Sequence, residues 1–455
     1  MRRRPNGAGG EGMGKRTVAL VNPPWSFEGS VYFGCREAHL PLELGCAKAL
    51  LERAGHEAVI VDAQLLGLDL EALRAAVAAL APDITVVATA PSYLFWRCAP
   101  PELRVPMRAV AALRGVAGRL VAVGPHGSTT PRAALRKLGV EAVVMGECEE
   151  VLVSLAGCDD WRAVEHVALP DGAGGARVNG GPAAAAFTDL PALSWPDDWI
   201  RRHRHHHHRF DGVPAGPGAE METSRGCPYR CTFCAKESFR DAYRRRPLPV
   251  VLEELDRLIA QGVGYVYFID EIFLPNQPLL EALAERPVAF GVQTRLDLWK
   301  PAMIELLGRA GCVSIEAGVE SLTVEGRAAL DKNCRMGTDE LSERLILAKR
   351  VVPFVQANLI LSEGDDPAAV AAWRERMRAH GVWANDPVPL FPYPGSPDYR
   401  LRWGLPDDRA WERAVDFYLA NHGRFCDIQD QAPRPLAALE DLGPTPAPLP
   451  RKAAE

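Results

Sequence analysis

The sequence predicts an α/β protein with two consecutive domains, and three observations carry this prediction. Short apolar runs alternate with helical segments between residues 16 and 155, which is typical of a doubly wound parallel sheet. A second alternating series between residues 216 and 400 fits six strand–helix units of a partial TIM-type barrel. A loop with three closely spaced cysteines follows the first predicted strand of this second series.

The first series contains apolar runs that suit strands buried on both faces of a sheet. Strands are predicted at 17–21, 58–62, 84–89, 120–123 and 142–145, and helices at 42–54, 70–81, 105–118 and 131–138. Ligands of such sheets bind at the carboxyl ends of the strands. We therefore expect a binding site in the loops at 22–25, 90–93, 124–130 and 146–149.

The second series has the same alternation at a similar spacing. Strands are predicted at 220–224, 265–269, 288–293, 312–316, 354–361 and 388–392, and helices at 250–261, 301–310, 338–351 and 367–380. The active face of a TIM-type barrel lies at the carboxyl ends of its strands. The cysteine loop is therefore expected on that face.

The remaining segments lack a clear pattern. Residues 156–215 are predicted to be a linker, 401–431 a C-terminal helical segment, and 1–15 and 432–455 disordered ends. The linker contains a histidine-rich run from His203 to residue 208. This run could store metal, and an exposed loop that binds metal incidentally is the interpretation that we favour.

Composition restricts the class of protein. The chain has 455 residues, 47% of them hydrophobic, and a net charge of -6, which argues against a general nucleic-acid binder. No apolar run approaches the roughly 20 residues of a membrane span, and no signal-peptide cleavage pattern follows the basic N-terminus. The odd number of cysteines, 11, does not resemble a secreted disulfide framework. We expect a cytoplasmic protein in a reducing compartment.

Cys227, Cys231 and Cys234 form the pattern C-x3-C-x2-C. Three thiolates on one loop can wrap one face of a four-iron cluster and leave one iron without a protein ligand, whereas electron-transfer clusters usually have four cysteines. A structural zinc site would need a fourth ligand, usually from a second cysteine pair, and no such pair lies nearby. Phe233 offers an aromatic wall beside the open iron.

This cysteine spacing, with an aromatic residue before the third cysteine, resembles the radical S-adenosylmethionine (SAM) superfamily. The resemblance implies that the free iron of a [4Fe-4S] cluster chelates the amino and carboxylate groups of SAM. It also implies that polar residues at strand ends hold SAM, although each could instead form a structural ion pair or loop hydrogen bond. For the amino group these are Asp270 and Glu271; for the carboxylate and ribose they are Arg295, Glu320 and Asn358, with Lys332 as a further candidate.

Three motifs in the first series resemble the cobalamin-binding domain that precedes some radical SAM domains. They are V-N-P-P-W with Pro23, Pro24 and Trp25, G-P-H-x4-P with Gly124 and His126, and V-V-M-G-E-x-E with Gly146 and Glu147. The usual Asp-x-His-x-x-Gly motif for cobalt ligation is absent. His126 and His39 are therefore poor candidates for a cobalt ligand, and we interpret His126 as a loop histidine that fixes the backbone.

Together the resemblances imply a cobalamin-dependent radical SAM enzyme. Such an enzyme cleaves SAM to a 5′-deoxyadenosyl radical and methylates an unactivated carbon of a small-molecule or natural-product substrate, with flavodoxin or ferredoxin as electron donor. Alternatives are a cyclase or rearrangement enzyme without methyl transfer, and a non-catalytic cobalamin or cluster sensor. A methylthiotransferase would need three N-terminal cysteines at strand ends, a context that Cys35, Cys46 and Cys98 lack.

Overall fold

The computed structural model describes residues 14–32, 37–92, 99–203, 216–422 and 433–442. Predictions for residues 1–13, for the histidines at 205–208, for Cys35 and Cys98, and for most of the C-terminal tail lie outside these ranges. Within the described residues, no helix is long and apolar enough to cross a membrane.

The first domain is built on a seven-stranded sheet. Its strands are β1 (Thr17–Asn22), β2 (Glu57–Asp62), β3 (Ile84–Ala88), β4 (Arg119–Val123), β5 (Ala142–Val144), β6 (Val167–Pro170) and β7 (Ala176–Asn179). The order is β2-β1-β3-β4-β5-β6-β7, and the first five strands are parallel. The strand order reverses between β1 and β3, which makes their carboxyl ends a topological switch point.

Helices cover this sheet on both faces. They are α1 (Leu42–Arg53), α2 (Ala63–Leu66), α3 (Leu70–Leu80), α4 (Arg104–Leu113), α5 (Pro125–Thr129), α6 (Pro131–Leu138) and α7 (Glu149–Ala156), and α8 (Asp197–Arg202) follows the sheet. Successive residues of a strand point to opposite faces. Val18 and Leu20 of β1 accordingly join one apolar core, and Ala19 and Val21 join another.

The segment at 156–215, expected to be a linker, contributes structure to this domain. Strands β6 and β7 form an antiparallel hairpin at the sheet edge, joined by a turn in which Asp171 accepts hydrogen bonds from the N–H groups of Ala173 and Gly175. Trp195, farther along, packs against Gly45 so closely that a Cβ there would lie 2.7 Å from its ring. The hairpin strands have four residues each, which is too short for a clear alternating pattern.

The second domain contains a six-stranded parallel sheet. Its strands are β8 (Gly218–Met221), β11 (Tyr265–Phe268), β12 (Ala289–Thr294), β13 (Cys312–Glu320), β14 (Phe354–Leu359) and β15 (Trp383–Ala384), and a separate antiparallel pair is formed by β9 (Ser224–Arg225) and β10 (Arg244–Arg245). The order β15-β14-β13-β12-β11-β8 keeps consecutive strands adjacent. The α/β class with parallel sheets is confirmed, and closure of this sheet into a barrel stays a prediction.

Helices alternate with these strands and continue to the C-terminus. They are α9 (Leu248–Ala260), α10 (Gln277–Ala284), α11 (Pro301–Arg309), α12 (Val324–Ala329), α13 (Thr338–Val351), α14 (Pro367–Ala379), α15 (Pro397–Trp403), α16 (Ala410–His422) and α17 (Leu436–Glu440). The last strand lies at 383–384, before the predicted strand at 388–392. Val388 makes only a single bridge to Ile360, because Pro389 and Pro392 cannot donate to a strand ladder.

The two domains share contacts through their cores and through the C-terminal helices. Leu42 and Cys46 of α1 belong to the same apolar core as Met221 of β8 and Leu255 of α9. Trp411 of α16 contacts the first domain. The short helix α17, inside the stretch expected to be disordered, anchors there as well, since the Glu440 carboxylate accepts from Lys137 Nζ at 2.7 Å.

Candidate cluster and cofactor site

The three motif cysteines lie on the loop that follows β8 and β9, at the carboxyl end of β8. Cys227, Cys231 and Cys234 are half-buried, whereas Cys46 and Cys312 are fully buried. The three thiols are thus accessible on one short loop, as ligands of one metal centre need to be.

Buried carboxylates hold the start of this loop. Asp270 Oδ1 accepts from the Thr223 N–H at 2.7 Å, and Asp270 Oδ2 accepts from Ser224 Oγ at 2.6 Å. Glu271 accepts from the Gly226 N–H at 2.7 Å. Burial raises the pKa of Asp270 to about 7, although the hydrogen bonds from Ser224 and Thr223 act in the opposite direction. Both carboxyl groups thus contact the loop backbone, and their predicted role towards SAM stays a prediction.

Gly226 precedes the first cysteine and needs to be glycine. Its φ is 78°, and a Cβ there would lie 2.1 Å from the Ala242 carbonyl oxygen. Across the loop, Lys236 Nζ donates to the Cys227 carbonyl at 2.7 Å. Phe233 lies half-buried in the turn between Cys231 and Cys234. The loop backbone is thus held on both sides of the cysteines.

Arg225 connects the cysteine loop to the first domain, and the sequence-based reasoning missed it. The guanidinium is fully buried and donates to Glu149 at 2.6 Å, to Glu222 at 2.8 Å and to Glu147 at 3.2 Å. Glu147 also pairs with Arg244. The two glutamates of the V-V-M-G-E-x-E motif therefore meet the Ser-Arg-Gly-Cys segment. The signal available in the sequence was the opposite charge of the two motifs.

Arg240 is a second buried arginine that binds several carboxylates, and it shares Glu222 with Arg225. It donates to Glu222 at 2.6 Å and to Glu271 and Glu43 at 3.2 Å each. Burial raises the pKa of Glu43 to about 7, against the attraction of Arg240. Ions of this kind are tolerated inside a protein when they are paired and hydrogen-bonded. Through Glu43 and Glu271 this arginine also joins the first domain to the cysteine loop.

Several predicted SAM-binding residues meet beside Cys231. Arg295 forms a two-point contact with Asp297 at 3.1 and 2.8 Å, and its guanidinium lies 4.1 Å from the Tyr229 ring centroid. Lys332 donates to Glu320 at 3.0 Å. Burial raises the pKa of the Cys231 thiol, and the charges of Lys332, Glu320 and Arg295 act on it. Two cations and a carboxylate thus lie near the middle cysteine.

A row of polar side chains crosses one face of the second sheet. Gln293 of β12 pairs in register with Glu316 of β13, which pairs with Gln356 of β14. All three are half-buried, and Asn358, two residues beyond Gln356, shares their face and contacts Gln356 Nε2 at 2.5 Å. Among these residues, the sequence analysis singled out Asn358 alone. Polar residues at every second position of otherwise apolar strands were the available signal.

The predicted loops of the first domain lie at the carboxyl ends of β1, β4 and β5. Trp25, half-buried, donates from Nε1 to Asn22 Oδ1 at 2.7 Å, next to Pro23 and Pro24. Gly124 and Gly146 have φ of 135° and 78°. At Gly146 a Cβ would lie 2.2 Å from the Ala183 carbonyl oxygen, so this glycine permits the contact with the segment after β7.

His126 is fully buried and lies under the C-terminal helix. Its Nε2 donates to the Pro100 carbonyl at 2.8 Å, and its ring centroid lies 4.8 Å from that of Trp411. Burial lowers the pKa of His126 to about 3, so the ring is neutral at ordinary pH. This is the arrangement of a histidine that fixes loop backbone.

Comparison with known proteins relates the part of the chain around this site to a known family. The family model described as "Radical SAM superfamily" matches residues 221–372, which include the cysteine loop and the polar row. Residues 221–372 therefore have the sequence features of a radical SAM domain.

The curated relatives include proteins that are named as cyclases and as methylases. The chain is 25% identical over 356 residues to the anaerobic magnesium-protoporphyrin IX monomethyl ester cyclase of Cereibacter sphaeroides, covering 74% of this chain and 55% of the relative. It is 27% identical over 195 residues to the hopanoid C-3 methylase of Methylococcus capsulatus, covering 40% of this chain and 36% of the relative. The chain spans about half the length of the first curated relatives that it matches.

Two solved radical SAM enzymes share the fold of most of the chain. The methyltransferase TsrM from Kitasatospora setae, solved with cobalamin and a [4Fe-4S] cluster, has a TM-score of 0.65 at 20% identity, covering 84% of this chain and 74% of TsrM. The cobalamin-dependent enzyme OxsB, solved with aqua-cobalamin and SAM, has a TM-score of 0.65 at 16% identity, covering 90% of this chain and 67% of OxsB. Most of this chain therefore shares its fold with two enzymes whose structures hold cobalamin.

Proposed function

We propose that this radical SAM protein is a cobalamin-dependent enzyme that methylates a carbon atom of a small-molecule substrate. The observation that carries the proposal is the loop of three half-buried cysteines at the carboxyl end of β8, within the segment that matches the superfamily. The buried pairs of Arg225 with Glu147 and Glu149 support a fixed position of this loop against the first domain.

Cys227, Cys231 and Cys234 would hold a [4Fe-4S] cluster and leave one iron for SAM. With SAM and an electron, such a cluster supplies a 5′-deoxyadenosyl radical. SAM carries an ammonium, a carboxylate and a sulfonium. Arg295, Lys332 and Glu320 offer the complementary charges near Cys231, with Phe233 and Asn358 as further contacts. Asp270 and Glu271 serve mainly by holding the loop, since their carboxylates already accept from its backbone.

Cobalamin would lie along the carboxyl ends of the first sheet, next to the switch point between β1 and β3. When bound, it supplies the methyl group. Pro23, Pro24 and Trp25 would line one side, and the loops at Gly124 and Gly146 the other. Neither His126 nor His39 is available as a cobalt ligand, because Pro100 O engages His126 and Glu220 engages His39. The residues therefore fit a corrinoid that takes no ligand from these two histidines.

The polar row of Gln293, Glu316 and Gln356 suits a small substrate with hydrogen-bonding groups, because half-buried amides and a carboxylate can orient it on the sheet face. One structure of TsrM holds tryptophan, a molecule of this kind. A cytoplasmic location and a flavodoxin or ferredoxin as electron donor belong to the same proposal.

The test is anaerobic reconstitution with iron, sulfide and hydroxocobalamin, followed by SAM, a low-potential reductant and candidate substrates. We expect a brown protein that retains cobalamin and forms both 5′-deoxyadenosine and S-adenosylhomocysteine. Failure to retain cobalamin contradicts the assignment of the first domain. An intact cluster that yields neither product points to a sensor.

The second candidate is a cyclase or rearrangement enzyme without methyl transfer, which the similarity to the magnesium-protoporphyrin ester cyclases favours. The two candidates differ in their products. A cyclase forms 5′-deoxyadenosine without S-adenosylhomocysteine, so quantifying both nucleosides in one reaction separates them.

A further inference from the structure

A buried group of two histidines and one carboxylate lies outside the cysteine loop. His39 comes from the segment before α1, His203 directly follows α8, and Glu220 belongs to β8. Their exposed fractions are 4%, 2% and 1%. One ligand atom from each residue lies within 4.8 Å of the other two. This is the spacing at which a single metal ion can contact all three.

The two oxygens of Glu220 face different rings. Oε1 lies 2.7 Å from His39 Nδ1, and Oε2 contacts His203 Nε2. The other ring nitrogen of His203, Nδ1, lies 3.1 Å from the Gly218 carbonyl oxygen, so it carries the hydrogen and donates. In the neutral ring, Nε2 then presents a lone pair to a carboxylate oxygen. Two acceptors in contact require a cation between them, either a proton or a metal ion.

The surroundings of His203 favour a metal ion. A metal-bound histidine usually donates its second ring nitrogen to a carbonyl or carboxylate, as His203 does to Gly218. Asp62 is close enough to His203 for the charges of the two side chains to interact. Its Oδ2 is buried and has no hydrogen-bond partner among the described residues. A divalent ion would balance the negative charge of the two buried carboxylates, Glu220 and Asp62. Without a metal ion, the two histidines balance this charge only if both are protonated.

We propose that His39, His203 and Glu220 bind a Zn²⁺ ion. Two imidazole nitrogens and both oxygens of one carboxylate give four donor atoms, and zinc accepts the donor set His₂Glu. The ion would replace the protons shared between Glu220 and the two rings, which are released to solvent.

The site would have a structural role, because its ligands come from three separate parts of the chain. It would join the first domain, the segment after α8 and the strand that leads into the cysteine loop. Glu220 precedes Ser224, where the loop begins, by four positions. Zinc would thus fix β8, and with it the cysteine loop, against the first domain.

The test uses the full chain as reconstituted holoenzyme, so that iron and sulfide occupy the loop cysteines. In the reference protein, serine replaces each of the histidines at 205–208, which removes that run as a competing zinc ligand. After incubation with Zn²⁺ and desalting, elemental analysis is expected to find about one zinc per chain. A reference protein that retains no zinc overturns the proposal and leaves a proton-bridged ion pair.

Two variants of the reference protein locate the ion. Glu220→Gln and His203→Ala should lose the bound zinc, whereas the control His380→Ala, on an exposed residue after α14, should keep it. Zinc that stays in both variants contradicts the site. Since buried variants can fail to fold, Co²⁺ in the reference protein provides an independent measurement. We expect the visible bands of four-coordinate cobalt with nitrogen and oxygen ligands, and a sulfur-to-cobalt band instead would overturn the assignment.

Discussion

Arg225→Met should weaken the attachment of the cysteine loop more than any single surface change. The wild-type guanidinium is fully buried and donates to Glu147, Glu149 and Glu222 at 3.2, 2.6 and 2.8 Å. Methionine keeps most of the volume but leaves three carboxylates without this cation. Breaking a buried ion pair from one side costs about 3–5 kcal/mol. For a domain of 150–250 residues this corresponds to a fall of about 6–20 °C in melting temperature.

The assay is thermal unfolding of the reconstituted protein, combined with iron analysis. The matched control is Arg378→Met, because Arg378 is exposed and its pair with Glu375 contributes little. A double variant, Arg225→Met with Glu149→Gln, should be less destabilised than the sum of its single changes, because it removes one of the stranded charges. A melting temperature of Arg225→Met within the range of the control would refute the reasoning.

Three further predictions concern the cluster, SAM and pH. Replacing Cys227, Cys231 or Cys234 by alanine should abolish the brown cluster and its iron, while Cys312→Ala, at a buried thiol, should retain both; an unchanged iron content in the loop variants contradicts the cluster assignment. Glu320→Gln should raise the SAM concentration needed for half-maximal 5′-deoxyadenosine formation by about 10–100-fold, from the loss of a charged hydrogen bond, whereas Glu325→Gln, on an exposed residue, should leave it unchanged; equal values for the two variants count against a SAM contact. Burial lowers the pKa of His126 to about 3. The unfolded chain therefore binds the proton more readily, and stability should fall as pH drops below about 6.5, by up to about 1.4 kcal/mol per pH unit. His126→Gln should have a smaller loss of melting temperature between pH 7 and pH 5 than His380→Gln, and identical losses would contradict the buried neutral ring.

The sequence was sufficient for features that depend on neighbouring residues. The strands β1 and β3 were predictable because a continuous apolar run needs burial on both faces, wherever the rest of the chain lies. The cysteine loop was predictable because its three ligands lie within eight positions, so their spacing alone limits what they can bind. The hairpin of β6 and β7 was not predictable, because its short strands gain their stability from pairing with the edge of β5.

Only the tertiary structure decided which charges meet. Arg225 and Glu149 are 76 positions apart, and their pairing follows from the approach of two domains rather than from either motif. The same holds for the polar row, which depends on the register of β12, β13 and β14, and for His39, which meets Glu220 across 181 positions. Local propensity acts over a few residues. Buried ions and ligand sets depend on long-range packing, because desolvation makes each buried charge stable only beside a partner that the fold brings to it.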